Sequence, residues 1–343
     1  MDADDRIEDD TQALCLPEGR RVGQPGHDVA RQYLLERLHE LGLSPYRSGA
    51  LELPYTRPSP VSGEPTAFTN LAGVIPGRDR NAPPLLIGAH YDSVIDAPCA
   101  DDNATAVAVA LGAAERLSGA GLTRDVIIAL FDAEEPPYFH TEAMGSTRFY
   151  EDHCAEVDFG CVLVMDLIGH DVEIGVAAAD RMLPRVRELL FILGAESHHE
   201  LPPVIERAAA AVKGLRVFPT LNSYIGDMSD HHAFRIGGQP FLFLSCAQGR
   251  YYHDPRDTVE WVNFEKVRRV RDLVERLVRE MDTAPLDGGE APDDPAEFEV
   301  RMIKRAIGPA LPLILKASRM GRLKTRADID RIAHALAGSL AGL

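Results

Sequence analysis

The sequence predicts an α/β fold: a three-layer sandwich with a mostly parallel central sheet covered by helices on both faces, plus a C-terminal helical tail. Short apolar runs recur at residues 85–87, 124–131 and 161–165, as expected of strands buried on both faces. Stretches of helical periodicity separate them, so strand and helix alternate in the order that builds such a sheet. Several acidic and histidine side chains fall just past the ends of these runs, where open α/β sheets place their ligand sites.

Taken in order, residues 17–43 begin with the turn-forming PEGRRVGQPGH. A helix follows, with Tyr33, Leu34, Leu38 and Leu41 on one face and Gly42 as its stop. Residues 54–77 are punctuated by Pro54, Pro58, Pro60, Pro65 and Pro76, with one strand expected at 71–75. The run at 85–87 delivers His90 and Asp92, and Asp102 stands at the mouth of an alanine-rich helix reaching Leu117. The run at 124–131 ends in Asp132, Ala133, Glu134 and Glu135. A loop with Pro136, Pro137 and Gly145 leads to a helix near 146–154, and the strand at 161–165 ends in Asp166. A helix is predicted over 182–193, a strand over 239–245, and a last core helix over 264–281 with Val267, Val270, Val274 and Leu277 facing the sheet.

The predicted body therefore spans residues 1–282. Residues 283–297 are rich in proline, glycine and acid and read as a linker. Residues 298–343 form a basic tail of two helical pieces, broken near Gly308-Pro309 and Gly321. Its Arg301, Lys304, Arg305, Lys316, Arg319, Arg322 and Lys324 suit docking on the acidic body, or on a second copy in a homo-oligomer, as well as a solvated surface.

Composition narrows the function classes. With 53 acidic against 36 basic side chains the net charge is -17, which argues against binding nucleic acid. The acidic N-terminus lacks the pattern of a secretory signal, and no apolar stretch has the length of a membrane span, so a cytoplasmic location and no membrane partner are expected. Five scattered cysteines, Cys15, Cys99, Cys154, Cys161 and Cys246, contain no C-x-x-C pair. They are expected to be free thiols.

An imidazole at His90, a carboxylate two residues on and another about a dozen residues later make half of a metal site. Glu134, Glu135, Asp166 and His253 are candidates for the rest. Singly, each has a structural reading, and Asp102 could simply cap the helix that follows it. Together, at successive strand ends, they point to a metal.

At this point the chain resembles a known family. HYDS, ADDNA, the FDAEE run followed by GS, MDLIG and YHDPRDT match in order the motifs of co-catalytic zinc exopeptidases, the family of bacterial aminopeptidases S and Y and of glutamate carboxypeptidase. The resemblance implies two zinc ions per chain. It assigns His90 and Asp166 to one, Glu135 and His253 to the other, and Asp102 as the bridge between them. It further implies that Glu134 is the general base, that Asp92 orients His90, and that Tyr252 stabilises the tetrahedral intermediate. Three ligating carboxylates against two divalent ions leave one positive charge, which a shared hydroxide cancels.

The expected function is therefore a zinc-dependent exopeptidase, an aminopeptidase releasing N-terminal residues from peptides. Glutaminyl cyclase, which the chain resembles in HYDS, the FD-x-EE run and DLIG, is the alternative enzyme, and a non-catalytic scaffold on the peptidase fold is the alternative outside catalysis. Asp230, His231 and His232 of SDHHAF are expected near the site in a supporting role, and His198 and His199 on an exposed loop. Cys99 and Ala106 replace the usual glycines beside ADDNA, and the loop after Glu135, PPYFHTEAM, is longer than the common short turn and could wall the substrate pocket.

Overall fold

The computed structural model describes residues 6–47, 49–173, 184–286, 294–317 and 321–340. Nine strands among these residues form one sheet: β1 (Ser44–Pro45), β2 (Glu52–Pro58), β3 (Pro65–Ile75), β4 (Leu85–His90), β5 (Val126–Phe131), β6 (Cys161–Met165), β7 (Leu189–Leu193), β8 (Arg216–Thr220) and β9 (Phe241–Ser245). Their order is β1-β3-β5-β4-β6-β9-β7-β8, with β2 added on β3. The helices are α1 (Ile7–Leu14), α2 (Pro25–Glu40), α3 (Thr105–Leu117), α4 (Gly145–Phe149), α5 (Leu201–Ala211), α6 (Asn222–Ile225), α7 (His231–Ile236), α8 (Phe264–Thr283), α9 (Ala296–Ile307), α10 (Leu311–Ala317) and α11 (Arg326–Leu340).

The sheet is mixed rather than mostly parallel. The central strands β5, β4, β6 and β9 run parallel, as do β7 and β8. The β1–β3, β2–β3, β3–β5 and β7–β9 pairings are antiparallel. Two features hid this from sequence reasoning. Pro54 and Pro58 lie inside β2, which pairs with β3 alone and so needs no amide donor on its outer side. The helix expected over 182–193 is instead a 3-10 turn at Pro184–Glu188 followed by β7, while 182 and 183 lie outside the described residues. The apolar run LLFIL fits a helix or a buried strand equally well by periodicity, and pairing with β8 and β9 decides it.

Both faces of the central strands are buried. Leu85, Ile87 and Ala89 of β4, with Val126, Ile128 and Leu130 of β5, pack in one core that includes side chains of α1, α2, α3, α5 and α8. Leu86, Ile127, Val162 and Val164 pack in a second core with Phe149, Phe159 and Phe234. In α8 Asn263 caps the start, its side chain accepting from Lys266 N, and Val267, Val270, Val274 and Leu277 are buried as their spacing predicts. The cysteines are free, and all but half-buried Cys15 are buried.

Among the described residues the tail forms three α-helices rather than two, and it lies against the body. Val300, Ile303, Leu311, Leu315, Leu323 and Ile329 make a satellite cluster on Phe218 of β8 and Tyr224 of α6. Arg301 pairs with Glu206 at 2.9 Å, while Arg319 lies outside the described residues. No helix among the described residues is long and apolar enough to cross a membrane.

Candidate metal centre

The strand ends place the polar residues. His90 is the last residue of β4, and the chain returns at Asp102 three residues before α3. α3 starts at Thr105 with no side-chain cap hydrogen bond, so the Asp102 carboxylate is not a helix cap. Glu134 and Glu135 follow β5, Asp166 follows β6, and His253 lies in the loop after β9. Ala133 and His253 hold φ at 54 and 55, a conformation that costs a non-glycine residue energy and that clusters at functional sites.

Three groups of donors result: Asp102 belongs to two of them, and the third joins His90, Glu134 and Glu135. His90 Nε2 lies 3.5 Å from Asp102 Oδ1 and 3.6 Å from Asp166 Oδ1. His253 Nε2 lies 3.4 Å from Asp102 Oδ2 and 3.4 Å from Glu135 Oε2. These separations exceed the roughly 2.7–3.2 Å of a good hydrogen bond. They match two ligand atoms sharing a tetrahedral zinc, which at about 2.0–2.1 Å from the ion stand about 3.3–3.4 Å apart. His90 Nε2, Asp166 Oδ1, Glu135 Oε1 and His253 Nε2 are buried without a hydrogen-bond partner among the described residues. Unpaired polar atoms inside a protein are costly, and a divalent cation at each group that includes Asp102 would satisfy them. His90, Asp102 and Asp166 could hold one ion, and Asp102, Glu135 and His253 a second.

Electrostatics favour cations here. Burial, reinforced by Glu135 and Asp166, pushes the Glu134 carboxyl well above its ordinary range. Burial and the Asp102 charge raise Glu135, and burial likewise raises Asp166. For His253 burial works downward, but Asp102 and Glu135 outweigh it and lift the imidazole to about 10. Each shift reports carboxylates crowded in a dry cleft, a repulsion that bound positive charge relieves.

The supporting side chains are largely hydrogen-bonded. Asp92 lies 3.4 Å from His90 Nδ1 and accepts from the amides of Glu134 and Glu135 at 3.0 and 3.1 Å. That carboxylate thus ties down the loop holding both glutamates and faces the His90 ring, whose Nδ1 makes no hydrogen bond among the described residues. Tyr252 is half-buried and stacks on His253 with centroids 3.7 Å apart. Burial and the Asp102, Glu135 and Asp166 charges raise its hydroxyl pKa.

Sequence reasoning missed several contributors. Asp257 accepts from the amides of Asp101 and Asp102, and Asn103 donates to Met165 O at 3.0 Å, tying this turn to the end of β6. Asp101 in turn pairs with His170 Nδ1 at 2.5 Å and accepts from Gly169 N. Arg20, fully buried, donates to the carbonyls of Leu14, Tyr91, Pro98, Cys99 and Asp102, and so grips the loop between His90 and Asp102. Gly19 beside it has φ +71, and a Cβ there would lie 2.5 Å from Ile95 O. Asp257 stands within a visible motif, whereas Arg20 carries no signal because arginine is normally exposed.

Behind β5, Asp132 accepts from Thr69 N at 2.7 Å and meets His27 Nε2 at 2.8 Å, and His27 stacks on Tyr91. Burial lowers the His27 pKa, but the Asp132 hydrogen bond and charge reverse that and leave it raised. A raised folded pKa adds stability that is full below the ordinary histidine range and is lost as pH climbs through the raised value. His27→Gln is therefore expected to cost about 1.5–3 kcal/mol at about pH 5.5 and less at about pH 9, measured by denaturant unfolding.

Within SDHHAF, Asp230 is fully buried, and neither carboxylate oxygen has a hydrogen-bond partner among the described residues. Burial pushes its carboxyl up to about 7, partly offset by His90. His231 lies outside the donor groups, stacked on Phe241 and Phe243 with Nε2 3.1 Å from Asn222 Oδ1. Of the pair expected on an exposed loop, His199 is exposed, but His198 is fully buried: its Nδ1 accepts from Glu200 N at 3.1 Å, and that turn leads into α5.

A mixed sheet with histidines and carboxylates converging at its strand ends defines an α/β protein whose donor set could hold metal. The chain belongs to peptidase family M28, whose model matches residues 70–278. It is 26% identical over 242 residues to the uncharacterized protein YfbL of Escherichia coli, covering 64% of this chain and 72% of that protein. Against the aminopeptidase YwaD of Bacillus subtilis it is 26% identical over 230 residues, covering 62% of this chain and 46% of that protein. The crystal structure of Porphyromonas gingivalis glutaminyl cyclase superposes with a TM-score of 0.64 at 17% identity, covering 80% of this chain and 97% of that one. At that identity the likeness is one of fold.

Proposed function

We propose that the chain is a zinc-dependent exopeptidase, an aminopeptidase that hydrolyses the N-terminal peptide bond at a two-ion centre. The observation that carries this reading is the Asp102 carboxylate, with one oxygen facing His90 and the other facing His253. When bound, a pair of zinc ions supplies a more acidic shared water and polarises the scissile carbonyl.

The chain's own residues do the rest. Glu134, with Oε2 3.8 Å from His90 Nε2, takes the proton of the attacking water and returns it to the leaving amine. Burial and neighbouring carboxylates raise its proton affinity, which suits a group that must hold a proton between the two events. Asp92 faces the His90 ring and keeps the glutamate loop in register, and Tyr252 offers a hydroxyl donor where charge develops on the carbonyl oxygen.

Local charge favours recognition of an amine terminus. The His90 imidazole and neighbouring carboxylates are the charged groups that bear on Glu134 and Asp166. Arg20 spends its guanidinium on main-chain carbonyls. With Asp92, Glu134 and Asp230 added to the ligating carboxylates, negative charge exceeds what two divalent ions neutralise. That surplus suits a substrate ammonium group and repels a terminal carboxylate.

A panel of blocked peptides tests this. Free and C-amidated peptides should lose their first residue, and N-acetylated ones should not. Cleavage of acetylated but not amidated peptides would mean a carboxypeptidase. Ammonia release from a Gln-initiated peptide with no residue lost would mean a cyclase.

A further inference from the structure

The tail lies outside the family match, yet its polar contacts lead back to the metal centre, and Tyr224 of α6 is where they converge. Its hydroxyl donates to Asp330 Oδ1 of α11 and accepts from Arg326 Nη1 at 3.1 Å. Arg326 is itself held by Glu299, which is 1% exposed, and by Asp294. Asp328 fixes the start of α11, accepting from the amides of Lys324 and Thr325. α11 therefore grips the phenol directly, and α9 holds it through Arg326.

From Tyr224 the connections run towards the cleft. Asn222, in the same short helix, donates its amide to Glu196 Oε1 at 2.7 Å and its side chain to Asp227 Oδ1 at 2.8 Å, and its Oδ1 accepts from His231. Asp227 also binds His232 Nδ1 at 2.8 Å and Arg235 Nε at 2.6 Å. The His232 ring stacks on His140, centroids 4.1 Å apart, in the loop that leaves Glu135. Two residues before His232 lies Asp230, fully buried, whose carboxylate feels the charges of His90 and Asp166. The segment buries little on its outer side, where Ile225 and Met228 are 53% and 46% exposed. Anchoring from elsewhere must hold it.

We propose that the C-terminal tail braces the rim of the substrate cleft, with Tyr224 as the positioning residue at the joint. Arg326 and Asp330 hold its hydroxyl in charge-assisted hydrogen bonds, and through α6 they hold segment 222–232, which carries buried Asp230 and sets His232 against the loop that follows Glu135. The kinetic consequence rests on the peptidase reading. The structural one does not.

Tyr224→Phe removes the hydroxyl and keeps the ring in its apolar cluster, and Asp330→Asn removes the charge of its partner. In the metal-loaded full chain each is expected to raise KM for an unblocked peptide about three- to ten-fold, with kcat and bound zinc unchanged. Amides of 222–232 should exchange hydrogen faster in both variants. The double variant should fall short of the sum of the two singles, because both weaken the same Tyr224–Asp330 hydrogen bond.

An unchanged KM, or a kcat that falls with the folded fraction at constant KM, overturns the proposal. If the parent protein cleaves no peptide, the functional reading fails, and hydrogen exchange alone decides the brace: faster exchange at 222–232 supports it, and unchanged exchange overturns it.

Discussion

Replacing Glu134 with Gln is expected to lower kcat by about 10³-fold or more while both metal ions remain bound. Gln keeps the size of the side chain and its place beside His90, but its amide cannot take the proton of the attacking water. Glu134 lies outside both donor groups that share Asp102, and in the group it does form with His90 and Glu135 a Gln keeps a neutral oxygen donor, so metal affinity should hold within a few-fold. A second consequence separates this side chain from a structural one. Burial raises the proton affinity of Glu134 in the folded chain, so the ionised carboxylate costs stability above the ordinary glutamate range. The metal-free variant should therefore be at least as stable at neutral pH as the metal-free parent. Turnover at the parental rate would remove Glu134 from the mechanism.

Asp102→Asn should have the larger effect on metal binding. It places one carboxylate oxygen in each of the two donor groups it joins, 3.5 Å from His90 and 3.4 Å from His253. Losing the charge should weaken both ions by more than the roughly 10- to 100-fold typical of residues that merely support a ligand, and turnover should fall below detection. Stability should respond in opposite senses in the two states. Without metal, one fewer buried negative charge should leave melting unchanged or slightly higher. With zinc, the variant should lose the rise in melting temperature that ligand binding gives the parent. Differential scanning calorimetry with and without zinc measures both. A parental response to zinc would show that Asp102 is not shared between two ions.

The site was more legible in the sequence than the sheet around it. His90, Asp102, Glu135, Asp166 and His253 stood out because a strand in an α/β sheet must end somewhere, and a charged side chain just past that end has a restricted set of roles. The structure brings each of those five within 3.4–3.6 Å of a neighbour among them. What supports them was less visible. Arg20 acts through its burial against main-chain carbonyls that no pattern announces, and His27 meets Asp132 across 105 positions of sequence. In the sheet, β2 was masked by its prolines and β7 by an apolar run whose periodicity fits either structure. Whether LLFIL is helix or strand depends on its neighbours β8 and β9, and pairing between distant segments is information a local reading lacks. The tail was legible as helix but not as a partner of Tyr224, because that contact joins an isolated phenol to residues about a hundred positions away.

Titration of the metal-free full chain with Zn²⁺, followed by calorimetry and by metal analysis after dialysis, tests most directly whether these side chains form one shared centre. Two ions per parent chain, with neither retained tightly by Asp102→Asn, is the predicted result. One ion per chain, or two that bind the variant as they bind the parent, would contradict it.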